Sequence, residues 1–394
     1  MRIAVIGGKL QGLEAVYLAG KAGWEIILID KDRDVPASEL AHCFHCLNAA
    51  SLENLIPTLD GCDLIIPALE DMGVFKVLLE LSRLLKIPVA LDMAAYEITS
   101  SKSVSDRLFG ELNIPSPKPW PQCSFPIIVK PSGSSGSEGV LKIDNQEGYE
   151  VFKKENKPEP DQWVTQEYVE GPSYSIEVIG HQGSYYPLQV TGLEMDDLYD
   201  CKRVYAPVEL NTRQLKQFSD IAIAIAKEIS LNGIMDVEVI LHQGQLKVLE
   251  IDARFPSQTP TVVYHSTGIN MLELFADVYL EKMDNKISLP AFEKAVIFEH
   301  VVVNPDSISI AGEHIIGSAG PLKYIENFFG ADEALTNYYP GKENWVATLI
   351  YKADSLESVH EKKDNAIRSL MSAFNIKRYN DPVPEPERFN MRGN

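Results

Sequence analysis

The sequence is short of positive charge: 36 Lys and Arg stand against 56 Asp and Glu, a formal net charge of −20 over 394 residues. A surface this acidic repels a phosphate backbone, which sets nucleic acid aside as a partner. Long apolar runs are missing too; none approaches the ~20 residues that a helix needs to cross a bilayer, so no membrane partner is expected. The opening MRIAVIGG has one Arg and an apolar stretch too short for a signal-peptide core, and it reads as a first strand. Cysteine is scarce and odd in number, five in all, which predicts reduced thiols in a cytoplasmic protein rather than a disulfide framework. His42-Cys43-Phe44-His45-Cys46 does gather metal-ligating side chains. A structural zinc site normally needs a second such pair, and Cys62, Cys123 and Cys201 are scattered singly, so the segment reads as small residues near a strand end. Internal repeats and low-complexity tails are likewise absent.

What is present is the balance of a globular protein, 45% apolar and 23% charged, at a length that suits two or three domains. Over residues 1–100 short β-rich runs (RIAVIG, EIILI, DLIIPA, PVALD) alternate with segments of helical spacing (LQGLEAVYLAGKA, GVFKVLLELSRLLK), the pattern of a doubly wound parallel sheet. A helix, SKSVSDRLFGELN, and a proline-rich connector at 114–121 lead into a β-rich region. There FPIIVK, VLKI, QWVTQEYV and SYSIEVIG read as strands, a long helix follows in TRQLKQFSDIAIAIAKEIS, and IMDVEVILH and QLKVLEIDA form a hairpin-like pair joined at Gln243-Gly244. Beyond about 290 a further small α+β unit is expected. The reading is α/β and α+β, with domains at 1–100, 101–290 and 291–394.

Gly7-Gly8-Lys9-Leu10-Gln11-Gly12 follows the first strand and invites a dinucleotide-binding reading, with Asp30 where a ribose-binding acid would sit. Lys9 occupies the third position, where the fingerprint needs glycine so that the backbone can approach a pyrophosphate. A helix N-terminus able to hold a substrate carboxylate, with Gln11 beside it, is the better reading. An NAD-dependent oxidoreductase therefore ranks below the chemistry of the central region.

Phosphoryl transfer needs a phosphate cradle, fixed cations, acids for magnesium and a slot for adenine. Lys102 opens a helix and Lys130 ends the strand IIVKP. Between Pro131 and Gly139 the loop that includes Ser134, Ser135 and Gly136 offers small side chains and free N–H groups. By itself it would be a flexible turn. Glu167 and Val169 lie in an extended segment that could present backbone groups to an adenine edge. The acids are the strongest element: Glu250 and Asp252, two apart on one strand, face the same side, and Asp236 joins them if the two strands pair. Arg254 continues that face and could hold a phosphate bidentately. Lys202 and Arg203 are further candidate cations. Glu70 and Asp71, at the end of DLIIPALED, and Ser257 and Gln258, after the acidic strand, are candidate substrate contacts; capping of the next helix and loop shaping are the plain alternatives.

From about Lys102 to Gly268 these features resemble the ATP-grasp superfamily. The resemblance implies that Lys102 and Lys130 bind nucleotide, that the loop 132–139 covers phosphates, that Glu167 and Val169 read adenine, and that Asp236, Glu250 and Asp252 hold Mg²⁺, one or two ions. Asp252 replaces the usual Asn, and Ser173 stands where several members have a ribose-binding Glu, with Glu177 a possible substitute. The runs GGKLQG, LEMDDLYDCKRVYAP and EIDARFPSQTPT are similar to the ligase family of pyrrolysine biosynthesis. That likeness implies ATP-driven joining of 3-methyl-D-ornithine, or D-ornithine, to the ε-amine of L-lysine by a homodimer. A ligase of nucleotide or peptide biosynthesis, and an ATP-binding regulator without turnover, are the alternatives. The three acids argue against the regulator.

Overall fold

RIAVI and EIILID are apolar on both faces, the pattern of strands covered from two sides. In the computed structural model, which describes residues 1–133, 139–156, 162–283 and 293–384, they form β1 (Arg2–Ile6) and β2 (Glu25–Asp30). With β3 (Cys43–Cys46) and β4 (Leu64–Pro67) they make a parallel sheet in the order β3-β2-β1-β4. Alternate residues meet helices on opposite faces. Ile3, Val5, Ile26 and Leu28 pack with Leu13 and Val16 of the helix Leu10–Lys21. Ala4, Ile6, Ile27 and Ile29 pack with Val74, Leu78 and Leu81 of the helix Met72–Leu85. PVALD, expected as a fourth such strand, makes only an isolated bridge between Val89 and Ile65. Pro88 cannot donate to a ladder, and Asp92 already caps the helix Met93–Thr99.

The middle of the chain builds a small antiparallel sheet and begins a larger one that is antiparallel in all but one of its strand pairs. The smaller joins β5 (Ile127–Pro131), β6 (Leu141–Ile143) and β7 (Trp163–Glu167) in the order β6-β5-β7, with Phe152 closing its small core. The larger begins with β8 (Ser173–His181), β9 (Ser184–Met195), β10 (Cys201–Ala206), β11 (Gly233–His242) and β12 (Gln245–Asp252). It continues through β13 (Ala295–Val303), β14 (Ser307–Ile310), β15 (Lys323–Phe328), β16 (Ala331–Thr336), β17 (Trp345–Ala353) and β18 (Arg378–Asn380). Its main path runs β12-β11-β8-β9-β10-β13-β17-β16-β15. Strands beyond 290 thus extend the same sheet, through β13 against β10, instead of forming a sheet of their own. The helix Thr212–Glu228 starts at a capping box of Asn211 and Gln214 and lays Phe218, Ile221, Ala222 and Ile225 against Ile176, Val237 and Val239. Among the described residues no helix is long and apolar enough to cross a membrane.

One irregularity decides what the hairpin presents. From its turn, β12 pairs Leu246 with Leu241 and Val248 with Val239; past a bulge at Leu249 it pairs Glu250 with Glu238 and Asp252 with Asp236. Before the bulge the even-numbered Leu246 and Val248 enter the core, and after it the odd-numbered Ile251 and Ala253 do. The extra residue reverses the parity of the strand and so turns Glu250 and Asp252 away from the apolar side.

Candidate active site

Three neighbouring strands carry acids to one face. Asp236 lies opposite Asp252 on one side and Glu177 of β8 on the other, while Glu238 lies between Glu250 and Ser175. Like charges held this close, with little water, disfavour ionisation. Burial, aided by Glu250 and Asp252, pushes Glu238 up to about 8. Burial pushes Glu177 up to about 7, and Asp252 also to about 7 against the pull of Arg254. Asp236 is raised well above the carboxylate range by burial and by Asp252. Among the described residues Asp236 Oδ1 and Glu177 Oε2 are buried without a hydrogen-bond partner. An excess of oxygen donors, some unpartnered, fits a hard divalent cation, which would relieve the repulsion.

Cations frame these acids. Lys102, at the first position of the helix Lys102–Glu111, pairs with Glu250 at 2.5 Å. Lys130 is buried at the end of β5, donates to Leu249 O at 3.3 Å, and burial lowers its pKa. Arg254 spans Asp252 at 3.2 Å and Glu70 at 2.9 Å. Glu70 also accepts from Gln11 Nε2 at 3.0 Å. The end of the first parallel sheet is thereby brought to the edge of the acidic strand pair. Asp236, Glu238, Glu250, Asp252 and Arg254 line one wall of a cavity of about 120 Å³. Gln258, Glu313 and Asp200 line the same cavity.

Directly after Ser257 and Gln258 runs the helix Thr259–Thr267, whose Thr261 N–H donates to Glu14 Oε1 at 2.6 Å. Glu14 is buried in the helix Leu10–Lys21, and burial pushes its pKa up to about 7. Ser257 Oγ and Gln258 Nε2 both donate to Glu313 Oε2, at 2.9 and 2.6 Å.

Other candidates lie elsewhere or are otherwise engaged. Lys202 and Arg203 do not reach the acids: Lys202 is tied to Asp381 at 2.6 Å, and Arg203 to Glu299, Asp381 and Glu194. A bulge between Cys201 and Arg203 and the alternation after it put Cys201 and Val204, not these cations, at the cavity. Asp71 caps its helix, accepting from Gly73 and Val74 N–H groups at 2.8 and 3.1 Å, as the plainer reading had it. Asp30 accepts from Gly8 N–H at 2.7 Å, so its carboxylate secures the glycine turn and is not free for a ribose. Gly7 sits at φ +103°, where a Cβ would meet Ala68 O at 2.4 Å, a requirement of the turn alone. The Glu167 carboxylate pairs with Lys247 at 2.5 Å; Val169 is buried just beyond it. Ser134, Ser135 and Gly136 lie outside the described residues. Sequence reading passed over Glu238, although the alternation D-V-E in IMDVEVI already puts it beside Asp236. Glu313 carries no local signal, because its neighbours at the cavity come from 55 residues upstream.

A family profile for the ATP-grasp domain matches residues 99–258. The fold agrees: the chain superposes on a biotin carboxylase from Campylobacter jejuni, solved as a beta-gamma-ATP complex, with a TM-score of 0.74, 15% identity and coverage of 93% of this chain and 91% of that one. At the level of sequence, the 3-methyl-D-ornithine–L-lysine ligase of Methanosarcina mazei is 34% identical over 94% of this chain and 96% of its own. The enzyme of the same name from Methanosarcina barkeri is 35% identical over 94% and 98%. The chain belongs to this family of ATP-grasp enzymes and is an ATP-dependent ligase that forms a carbon–nitrogen bond between a carboxylate and an amine.

Proposed function

We propose that the protein activates the carboxylate of 3-methyl-D-ornithine, or of D-ornithine, as an acyl phosphate and joins it to the ε-amine of L-lysine, releasing ADP and phosphate. The observation that carries this reading is the row of carboxylates from three strands, bracketed by Lys102, Lys130 and Arg254. The names and near-full-length similarity of the relatives support the choice of substrates.

Asp236, Glu250 and Asp252, with Glu238 and Glu177 adjoining, would hold Mg²⁺. The ion supplies charge neutralisation to phosphate oxygens when bound. The protein's own groups do the rest. Lys130 and Lys102 meet the phosphates, and Lys102 exchanges Glu250 for a phosphate oxygen. Arg254, already oriented by Asp252 and Glu70, offers its remaining donors to the oxygen on which charge develops. Loop residues Ser134, Ser135 and Gly136 cover the phosphates, and the segment at Glu167 and Val169 takes the adenine edge. Gln11 and Glu70 contact the amino-acid substrate. In the second step the amine nitrogen attacks the acyl carbon, the C–O bond to phosphate breaks, and the amine gives up a proton. With an ordinary pKa of about 10.4, that amine needs a cleft acid nearby to take it. Placement in the cytoplasm and action as a homodimer belong to the same reading.

The test is ADP release from ATP and Mg²⁺ with L-lysine plus D-ornithine or its 3-methyl form, each omitted in turn, with mass analysis of the product. Release that requires both amino acids, and a product heavier than lysine by one ornithyl unit, is expected. Release with other carboxylate–amine pairs but not with these would sink the substrate assignment and leave the ligase class standing.

A further inference from the structure

Lys202 and Arg203 share a short stretch of chain with the cavity lining, since Asp200, Cys201 and Val204 lie on either side of them. Lys202 is 1% exposed. Both acceptors of its ammonium come from one distant segment: Asp381 Oδ1 at 2.6 Å and the Pro382 carbonyl. Among the described residues Asp381 is also its one ion-pair partner. A buried ammonium without partners is expensive, so Lys202 keeps this place only while residues 381 and 382 lie over it.

The segment that supplies them is itself fixed. β18 pairs in parallel with β14, Tyr379 beside Ile308, and the chain leaves it directly into Asp381. Burial alone would raise the Asp381 carboxyl; Arg203 and Lys202 outweigh it and hold the group below its ordinary value. Arg203 meets Asp381 at 2.9 Å and is shared with Glu299 and Glu194. Arg203 therefore has carboxylates to spare, whereas Lys202 depends on Asp381.

The backbone at this point is weakly held by the sheet. β9 pairs with Cys201 and then with Arg203 across the bulge, and pairing with β13 begins only at Arg203. Lys202 is in register with no residue of either neighbouring strand. A bulged residue drops out of the ladder, so its side-chain contacts carry more of the task of fixing the chain there.

We propose that Asp381, which does not line the cavity, is a positioning residue of the ligase: through Lys202 it fixes the bulged start of β10, and with it Cys201 and Asp200, in the shape that the amino-acid substrates require. The proposal rests on the ligase reading above for the identity of those substrates and adds to it a control exerted from about 180 residues further along the chain.

Three variants test it: Asp381→Asn, which is nearly isosteric and leaves Lys202 its charge without a counter-charge; Lys202→Met, which removes the charge; and the double variant. Hydrogen exchange is followed in the substrate-free protein, and KM for D-ornithine and for L-lysine is measured at saturating ATP and Mg²⁺. Asp381→Asn is expected to speed exchange over residues 200–204 by about tenfold or more, with the helix Thr212–Glu228 unchanged. It should also raise KM for at least one amino acid by about tenfold, with kcat and the KM for ATP within about twofold of wild type. Lys202→Met should stay close to wild type in both readouts, and adding it to Asp381→Asn should restore them. A residue that only stabilises the fold would lower the thermal midpoint without moving KM. Unchanged exchange, unchanged KM, or a double variant as impaired as Asp381→Asn would overturn the proposal. If wild type does not join D-ornithine or its 3-methyl form to L-lysine, the substrate reading fails. Exchange over residues 200–204, with KM for the carboxylate–amine pair that does react, then still decides the positioning role.

Discussion

Replacing Glu14 by Gln should stabilise the protein, and only above about pH 5. The carboxylate is 5% exposed, and its folded-state pKa is about 7 against 4.5 in a free chain. Because the folded value is raised, the unfolded chain sheds this proton first as pH climbs past 4.5, while the folded chain retains it. Stability therefore falls with rising pH between 4.5 and about 7, then levels off. At about 1.4 kcal/mol per pH unit the shift corresponds to roughly 3 kcal/mol, reached near neutrality. Gln keeps an oxygen for the Thr261 N–H, the contact that fixes the helix behind Ser257 and Gln258, and removes the ionisation. Urea unfolding of both proteins at several pH values between about 4 and 8 should give matching stabilities at the acid end and a gap of roughly 3 kcal/mol in the variant's favour at the alkaline end. A gap of the same size at every pH would refute the reasoning, since it would assign the effect to packing and not to the proton.

Glu238→Gln should fold but lose roughly a hundredfold or more in amino-acid-dependent ADP release, because it removes a carboxylate lying between Ser175 and Glu250 in the acid row. Asp71→Ala should cost about 1 kcal/mol in thermal or urea unfolding through loss of the helix cap, with turnover close to wild type; a collapse of turnover at unchanged stability would restore a substrate role to Asp71. Arg203→Met should destabilise by about 3–5 kcal/mol, leaving the fully buried Glu299 with the Tyr351 hydroxyl but without its cation; a fold that survives unchanged with turnover abolished would instead place Arg203 in the chemistry.

The parallel sheet was legible in the sequence because its strands are uniformly apolar and its helices carry clear 3.6-residue spacing. The hairpin of Asp236, Glu250 and Asp252 was legible for the complementary reason: alternation and a Gln243-Gly244 turn are local signals. Lys202 and Arg203 misled, since a cation next to an acidic run says nothing about partners such as Asp381 and Glu299, which lie 178 and 96 residues further on. The same holds in reverse for Glu313, which enters the cavity from a segment that carries no motif. PVALD failed because composition favoured a strand while Pro88 and the cap at Asp92 left no room for a ladder.

The bulge at Leu249 bears on how this sequence tolerates change. Substitutions around it alter single contacts, but a one-residue deletion there would restore unbroken alternation and exchange the two faces of everything downstream in β12. Glu250 and Asp252 would be driven among Phe218, Ile225 and Val237, and Ile251 would be offered to the cavity. Such a deletion would leave amino-acid composition, charge and every acidic residue nearly as before. It would still act as though both acids had been lost and two charges planted in the core. Among natural homologues, insertions and deletions near this hairpin should therefore occur at its Gln243-Gly244 turn or in compensating pairs, never singly at the bulge.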